Sequence, residues 1–202
     1  MNTKTESAET AGPAADEAEV PASQLVSAGG RITALARTAV ETYVLQRRVI
    51  EPSQSPQTSL LTRPSACFVC IKTLGRDLRG CIGTVEPEKS TLAEEVIANA
   101  IKAATRDPRF EPLSGDELPA LRYSVDILGR LEPAEFEDLD PSVYGVVVTD
   151  RAGSRRGLLL PAIESIGTAR QQVGVAARKA GIRADEPLRL YRFRTHRFSE
   201  WV

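Results

Sequence analysis

The sequence predicts an α+β fold in which antiparallel strands are covered by helices. Short segments rich in β-branched and aromatic residues occur in pairs, and a few turn-forming residues separate the members of each pair. Three longer segments repeat apolar residues every three or four positions, which is typical of amphipathic helices. The predicted order is helix, hairpin, helix, strand, hairpin, helix, strand. Because hairpin strands are antiparallel, this order excludes a doubly wound parallel sheet.

Length and charge set the limits of this fold. The chain has 202 residues and a formal net charge of −1, which allows one core or two small lobes that share one. Residues 1–24 are acidic and almost free of large apolar side chains, so we expect a disordered tail. This tail lacks the basic start and apolar run of a signal peptide, and no stretch reaches the ~20 apolar residues that cross a membrane. We therefore expect a soluble cytoplasmic protein with no membrane partner.

Residues 27–48 predict the first helix, because apolar residues from Ile32 to Val44 recur at helical spacing. Three prolines and several small polar residues make residues 51–64 a loop. The first hairpin follows, with arms at 65–74 and 78–85.

Two cysteines in the first arm of this hairpin have the spacing of a metal-binding pair. Cys67 and Cys70 are three apart, however, and residues three apart on a strand face opposite sides. The chain has no second such pair and one histidine, so we predict no metal site and place both cysteines in the core. The odd number of cysteines gives no reason to expect a disulfide framework.

The second helix begins at a capping box formed by Thr91 and Glu94 and runs to about Thr105. A loop leads to a third strand at residues 121–131. Residues 132–141 form an acidic linker, which is typical of a solvated face.

The second hairpin has arms at 143–149 and 156–160. The last helix runs from about Thr168 to Ala180, with Gln171 in the capping-box position and Gly181 placed to end it. Residues 188–198 predict the final strand.

Residues 78–84, which we call the signature segment, carry the strongest functional signal. Two glycines flank Cys81, so the backbone can turn there and another molecule can approach it. On an extended segment Arg79 and Cys81 point to the same side, and a guanidinium beside a thiol favours the thiolate. We therefore predict a small pocket that accepts an anion. The alternative is a glycine-bent strand with a buried, unreactive cysteine.

The signature segment resembles that of the AMMECR domain family, and further motifs have the order and spacing of that family. These motifs are Ala103-Ala104, Asp107-Pro108-Arg109-Phe110, Glu117-Leu118-Pro119, Gly157-Leu158-Leu159-Leu160-Pro161 and Arg178-Lys179-Ala180-Gly181-Ile182. The resemblance covers the chain from about Leu35 onward. It implies an α+β domain over residues 25–202, with a larger lobe (25–130 and 165–202) and a smaller lobe (131–164).

Cys81 is the candidate catalytic residue, and a larger group of residues is predicted to bind. The candidate binding residues are Arg79, Gly80, Gly83, Thr84, Asp107, Arg109 and Phe110. An ion pair with Asp107 that fixes the loop remains the alternative for Arg109.

Three functions follow from these residues. The resemblance implies an accessory or substrate-handling component of a modification pathway that includes a Memo-like protein and a radical SAM enzyme, with a small-molecule or peptide ligand. The chain lacks the cysteine motif of a radical SAM cluster and any glycine-rich phosphate loop, so we expect no cofactor. A stand-alone enzyme that uses Cys81 as nucleophile or redox thiol is the first alternative, although the sequence offers no clear base for it.

Nucleic-acid binding is the second alternative. Arginines alternate with Tyr191, Phe193 and Phe198 near the end of the chain, a pattern that could combine stacking with phosphate contact. The same alternation is typical of a half-buried edge strand, so nucleic acid is the less favoured partner.

Overall fold

The computed structural model describes residues 22–52 and 59–201, and it has two four-stranded antiparallel sheets with helices packed on them. The predicted α+β class is confirmed. Residues 1–21 of the predicted acidic tail lie outside the described residues. None of the described helices has an apolar run long enough to cross a membrane.

The first sheet has the strand order β2-β1-β3-β8. Its strands are β1 (Cys67–Thr73), β2 (Leu78–Gly83), β3 (Leu121–Leu128) and β8 (Thr195–Ser199). The predicted first hairpin is confirmed, since β1 and β2 pair directly. The pairing shifts by one residue between Ile71 and Lys72, which leaves Arg79 as an extra residue in β2.

The second sheet has the order β4-β7-β5-β6. Its strands are β4 (Glu132–Ala134), β5 (Gly145–Asp150), β6 (Arg156–Leu159) and β7 (Leu188–Phe193). The prediction of one final strand over 188–198 was wrong: the chain leaves the second sheet after Phe193 and enters the first at Thr195. Hydrogen bonds of β7 go to β4 and β5, whereas those of β8 go to β3.

Two helices cover one face of the first sheet, and one covers the second sheet. Helices α1 (Ala22–Gln46) and α2 (Leu92–Thr105) pack on each other and on the first sheet, and α3 (Ala169–Lys179) packs on β5 and β6. The second sheet therefore contains β7 and is covered by α3, and both elements come after the segment 131–164 that was expected to form the smaller lobe.

The helix ends follow the predicted local signals. Thr91 and Glu94 form a capping box at α2, and Thr168 and Gln171 form one at α3. Gly181 adopts a left-handed conformation with φ of 66° just after the cap of α3.

The two sheets meet through a small apolar cluster. Ala66, just before β1, and Leu128, the last residue of β3, pack with Val147, Leu158 and Phe193 of the second sheet. A separate core lies under α1 and α2, and another lies under α3. The cluster between the sheets fixes the wall of the second sheet against the uncovered face of the first.

Candidate functional site

A cleft of ≈ 630 Å³ lies between the uncovered face of the first sheet and the edge of the second. Its floor comes from β1, β2, β3 and β8, and its wall comes from residues 158–160, 162–164 and Lys179. This volume is within the range of small-molecule sites.

The strand register places small side chains in one row across the cleft floor. Cys81 lies opposite Cys70, Cys70 opposite Ser124, and Ser124 opposite Ser199. Because residues two apart on a strand share a face, larger side chains form parallel rows on either side. Phe68, Asp126 and Arg197 form one of them; Lys72 and Leu78 belong to the other. The row of small residues makes a trough in the floor.

Cys70 and Cys81 form a disulfide on this floor. The cysteine count, which gave no reason to expect a disulfide framework, did not anticipate this bond. The prediction that Cys70 lies in the core was wrong, because Cys70 is half-buried in the cleft. The cause is the extra residue in β2, which brings Cys81 opposite Cys70. Cys67 does lie in the core, as predicted, and burial raises the pKa of its thiol to about 12.

The backbone of Cys81 is held by two side chains of the next loop. Strand β2 is at the edge of its sheet, so Cys81 has outward-facing peptide groups that no strand pairs. The Cys81 N–H donates to Asp107 at 2.8 Å, and Arg109 donates more weakly to the Cys81 carbonyl at 3.5 Å. The two side chains take the place of a neighbouring strand.

Asp107 and Arg109 also bind each other through two nearly parallel hydrogen bonds of 2.9 and 2.7 Å. Hydrogen bonds from Arg109 lower the pKa of the buried Asp107 to about 2, and the Cys81 N–H adds to them, against the opposing effect of burial. The alternative predicted for Arg109, an ion pair that fixes the loop, is therefore present. Arg109 also lines the cleft, so contact with a ligand is compatible with this pair.

Arg79 is engaged away from Cys81. Its guanidinium donates to Glu117 at 2.6 Å and to the Glu111 carbonyl at 2.9 Å. The prediction that Arg79 shares the side of Cys81 relied on strict alternation, which the extra residue in β2 interrupts. Phe110 lies between Arg79 and Arg109, whose guanidinium carbons are 5.8 and 5.4 Å from its ring centre.

The remaining predicted binding residues lie in the packing around the signature segment. A Cβ atom at Gly80 would overlap the Ala103 carbonyl of α2, and one at Gly83 would overlap the Phe68 ring. The buried Thr84 hydroxyl donates to Glu95 at 2.7 Å. These contacts explain the glycines and the threonine through packing, and a role for them in binding stays a prediction.

Several charged residues of the cleft were not predicted from the sequence. Asp126 is buried and accepts two hydrogen bonds from Arg197, at 2.7 and 3.2 Å. Lys72 lies 5.8 Å from the centre of the Trp201 ring. Lys179 belongs to a motif that the resemblance had already singled out, and that motif was the available signal for it.

Cations outnumber carboxylates around the cleft. Five cationic residues line it, namely Lys72, Arg76, Arg109, Lys179 and Arg197, against the two acids Asp126 and Glu164. The lining therefore has a formal charge of +3. Within residues 22–52 and 59–201, no three His, Cys, Asp or Glu side chains converge as metal ligands.

The aromatic residues near the chain end are used in packing. Phe193 is buried in the cluster between the sheets, where Tyr191 packs beside it, and Phe198 packs on the core under α1 and α2. These contacts favour the half-buried strand over a stacking platform for bases.

Comparison with known proteins gives consistent results. A protein of Thermotoga maritima is 46% identical over 161 residues, which are 79% of this chain and 91% of that one. A protein of Clostridium acetobutylicum is 40% identical over 167 residues; the match covers 82% of this chain but 35% of that relative. The crystal structure of the uncharacterized protein PH0010 from Pyrococcus horikoshii superposes with a TM-score of 0.78 at 29% identity and covers 86% of this chain and 91% of that one.

The family model named AMMECR1 matches residues 33–198, which include β1 to β7, most of β8 and all of the cleft floor except Ser199. The resemblance seen in the sequence is thereby confirmed, and the chain belongs to the AMMECR1 family.

Proposed function

We propose that this protein is a substrate-handling component of a multi-protein modification pathway, and that it holds a small molecule or peptide segment in the cleft between its sheets. The observation that carries the proposal is the cleft itself, a volume of ≈ 630 Å³ whose floor contains Cys81 of the signature segment. A built cavity beside the family's signature is the default binding site.

The groups around Cys81 suit binding better than nucleophilic attack. A cysteine nucleophile needs a free thiolate and a base oriented toward it. The sulfur of Cys81 is bonded to Cys70, and the carboxylate of Asp126 is engaged by Arg197. Arg109 and Asp107 hold the Cys81 backbone in place. These contacts fix the shape of the floor, which is what a binding site requires.

The pathway partners in this proposal are a Memo-like protein and a radical SAM enzyme, as the family resemblance implies. The Clostridium relative supports a role carried out together with other domains, because the region that matches this chain makes up about a third of that protein. In that organism the domain belongs to a longer polypeptide. In our proposal, this chain presents its bound substrate to partner proteins.

A fragment screen followed by NMR of the folded protein tests the binding site. We expect bound fragments to shift resonances of the cleft floor and wall. Ser124→Phe should abolish these shifts, since Ser124 lies in the middle of the trough. Ser142→Ala, on an exposed turn just before β5, is the control. Fragments that bind elsewhere, or whose binding is unchanged by Ser124→Phe, would contradict the proposal.

Co-expression with the two partner proteins tests the pathway role. We expect cross-linking to recover a complex, and we expect Ser124→Phe to leave the complex intact while it blocks transfer of the substrate. If neither partner is recovered under cross-linking, the pathway role is wrong, whatever the cleft binds.

A redox role for Cys81 is the second candidate, and the disulfide with Cys70 is the observation that favours it. In a reducing compartment such as the cytoplasm, disulfides are usually transient and redox-active. Two external thiols would reduce this disulfide through a mixed disulfide. They would leave as one external disulfide, while Cys70 and Cys81 each gain a proton and an electron.

Alkylation before and after reduction tests this candidate. We expect Cys70 and Cys81 to be labelled after mild reduction, and Cys67 only after unfolding, because it is buried in the core. Cys70→Ala should make Cys81 reactive without a reductant. Equal labelling of Cys81 in untreated and reduced protein would overturn the redox role.

A further inference from the structure

The cationic side chains of the cleft come from different elements and are not all neutralised. Arg197 is paired with Asp126, and Arg109 is paired with Asp107. Among the described residues, Lys179 has no carboxylate partner within salt-bridge distance. Its ammonium donates to the Leu158 carbonyl at 3.4 Å, which leaves two of its three N–H donors for another acceptor.

Lys179 and Arg109 both line this cleft. Burial lowers the pKa of Lys179, and the positive charge of Arg109 lowers it further. The charge of Arg109 is balanced by Asp107, whereas among the described residues Lys179 has no carboxylate partner, so an anion in the cleft would be attracted to Lys179 and to the N–H donors of Arg109 that Asp107 does not use. The first charge comes from the loop after α2, and the second comes from the last turn of α3.

Apart from Glu164, the wall beside Lys179 is apolar. Leu158, Leu159 and Leu160 line the cleft from β6 and the residue after it, and Phe68 faces them from the floor. A ligand whose charged group reaches Lys179 therefore has an apolar surface next to it.

We propose that the cleft binds an amphipathic anion, whose carboxylate or phosphate lies between Lys179 and Arg109 while its apolar part packs on Leu158, Leu159 and Leu160. This inference rests on the proposed binding function and gives its substrate class. The ammonium of Lys179 and the guanidinium of Arg109 would each donate charge-assisted hydrogen bonds to the anion.

The test compares three ligands that share an eight-carbon chain: octanoate, octyl phosphate and 1-octanol, each below its micellar concentration. Affinity is measured by NMR titration of the intact protein. We expect at least one of the two anions to bind about tenfold more tightly than the alcohol, because a charge-assisted hydrogen bond is worth about a factor of ten. Whether octanoate or octyl phosphate binds more tightly distinguishes a carboxylate substrate from a phosphate substrate.

Lys179→Gln should remove most of the preference for the anions, and Lys179→Arg should keep it. Arg178→Gln removes the same charge from the neighbouring exposed position of α3 and should change the affinity less than twofold. Equal effects of Lys179→Gln and Arg178→Gln would mean that the anions respond only to the overall positive charge near the end of α3, and this result would overturn the inference.

The outcomes separate this inference from the proposed function. If 1-octanol binds the cleft as tightly as both anions, the anion inference fails and the binding function stands. If none of the three ligands binds while fragments do occupy the cleft, the inference also fails alone. If neither the ligands nor the fragments bind there, both proposals fail.

Discussion

The two sheets are built with matching glycine contacts. In the first sheet, Gly80 lies so close to α2 that a Cβ atom would overlap the Ala103 carbonyl. In the second, Gly157 lies equally close to the Ala176 carbonyl of α3. Each glycine is on an edge strand, β2 or β6, and allows a helix backbone to approach that strand.

A second pair of contacts is shared. Gly83 is directly opposite Phe68 in the first sheet, and Gly145 is directly opposite Phe193 in the second. In both places the aromatic ring covers the glycine, where a Cβ atom would overlap it.

The difference between the sheets lies on their other faces. The face of the second sheet away from α3 contributes Val147, Leu158 and Phe193 to the apolar cluster between the sheets. The corresponding face of the first sheet carries cysteines, serines and charged side chains along the cleft. The glycines of the signature segment are therefore part of an architecture that both sheets use, and the candidate site is marked by the polar face instead.

Replacement of the two helix-facing glycines gives the largest expected effect. Gly80→Ala and Gly157→Ala should each lower the free energy of unfolding by about 3 kcal/mol, because the new methyl group meets helix backbone that cannot move aside. Urea denaturation measures the change. Gly30→Ala, with open space around it in α1, is the control and should raise stability by about 1 kcal/mol. A stable Gly80→Ala variant that loses only ligand binding would show that Gly80 serves the ligand.

Removal of the Asp107 carboxylate tests how the edge strand β2 of the first sheet is held in place. Asp107→Asn should cost roughly 2 kcal/mol, since a buried acceptor for Arg109 and for the Cys81 N–H is weakened. Asp185→Asn is the control, because Asp185 binds Arg183 on the exposed surface and should have no measurable effect.

The pH dependence gives an independent check on Asp107. Its pKa of about 2 in the folded protein is below its ordinary value of 3.8, so its stabilising contribution is fully present above about pH 4. This contribution is lost as the pH falls from about 4 to about 2. Denaturation of both proteins across this range should show the stability difference between native protein and Asp107→Asn shrinking. A constant difference would contradict the low pKa.

The local signals in the sequence predicted most of the fold. Both capping boxes and the glycine after α3 depend on residues within one turn of each other, so the sequence alone contains them. The first hairpin was recognised in the same way. The split of the last strand was not, because the segments before and after Arg194 have similar composition and differ only in the sheet that they join.

The site depended on contacts that local patterns do not contain. Without the extra residue at Arg79, Cys70 would face Gly80 instead of Cys81, and the sequence carries no mark of this register shift. The row that joins Cys81 to Ser199 crosses four strands from distant parts of the chain. Lys179 reaches the cleft from the end of α3, far along the chain from the signature segment, so only its family motif could have singled it out.

Replacement of the glycines that lie opposite aromatic rings should lower the free energy of unfolding by less than replacement of the helix-facing glycines. The loss should also differ between the two sheets. Gly83→Ala should cost about 2 kcal/mol, because its Cβ atom would meet the base of the Phe68 ring and, at 2.6 Å, the Cys67 carbonyl. Gly145→Ala should cost about 1 kcal/mol, since its Cβ atom would meet only the outer end of the Phe193 ring, which can shift. Thermal denaturation compares the two. Equal losses of stability would mean that the Cys67 carbonyl moves away from the new methyl group as easily as the Phe193 ring does.

The smallest expected effect concerns the two helix starts. The first turn of α2 contains Glu94 and Glu95, whereas that of α3 has no acid and uses Gln171 in its capping box. Gln171→Glu keeps the acceptor for the Thr168 N–H and places a negative charge at the positive end of α3. We expect it to raise the free energy of unfolding by about 0.5 kcal/mol, measured in urea.

Glu94→Gln is the reciprocal change and should lower stability by a similar amount. Both effects should fade in 1 M salt, because charges that solvent can reach are then screened within about 3 Å. An effect of Gln171→Glu that persists in salt would mean that the carboxylate improves the capping hydrogen bond itself, and the two helix starts would then differ in geometry and not only in charge.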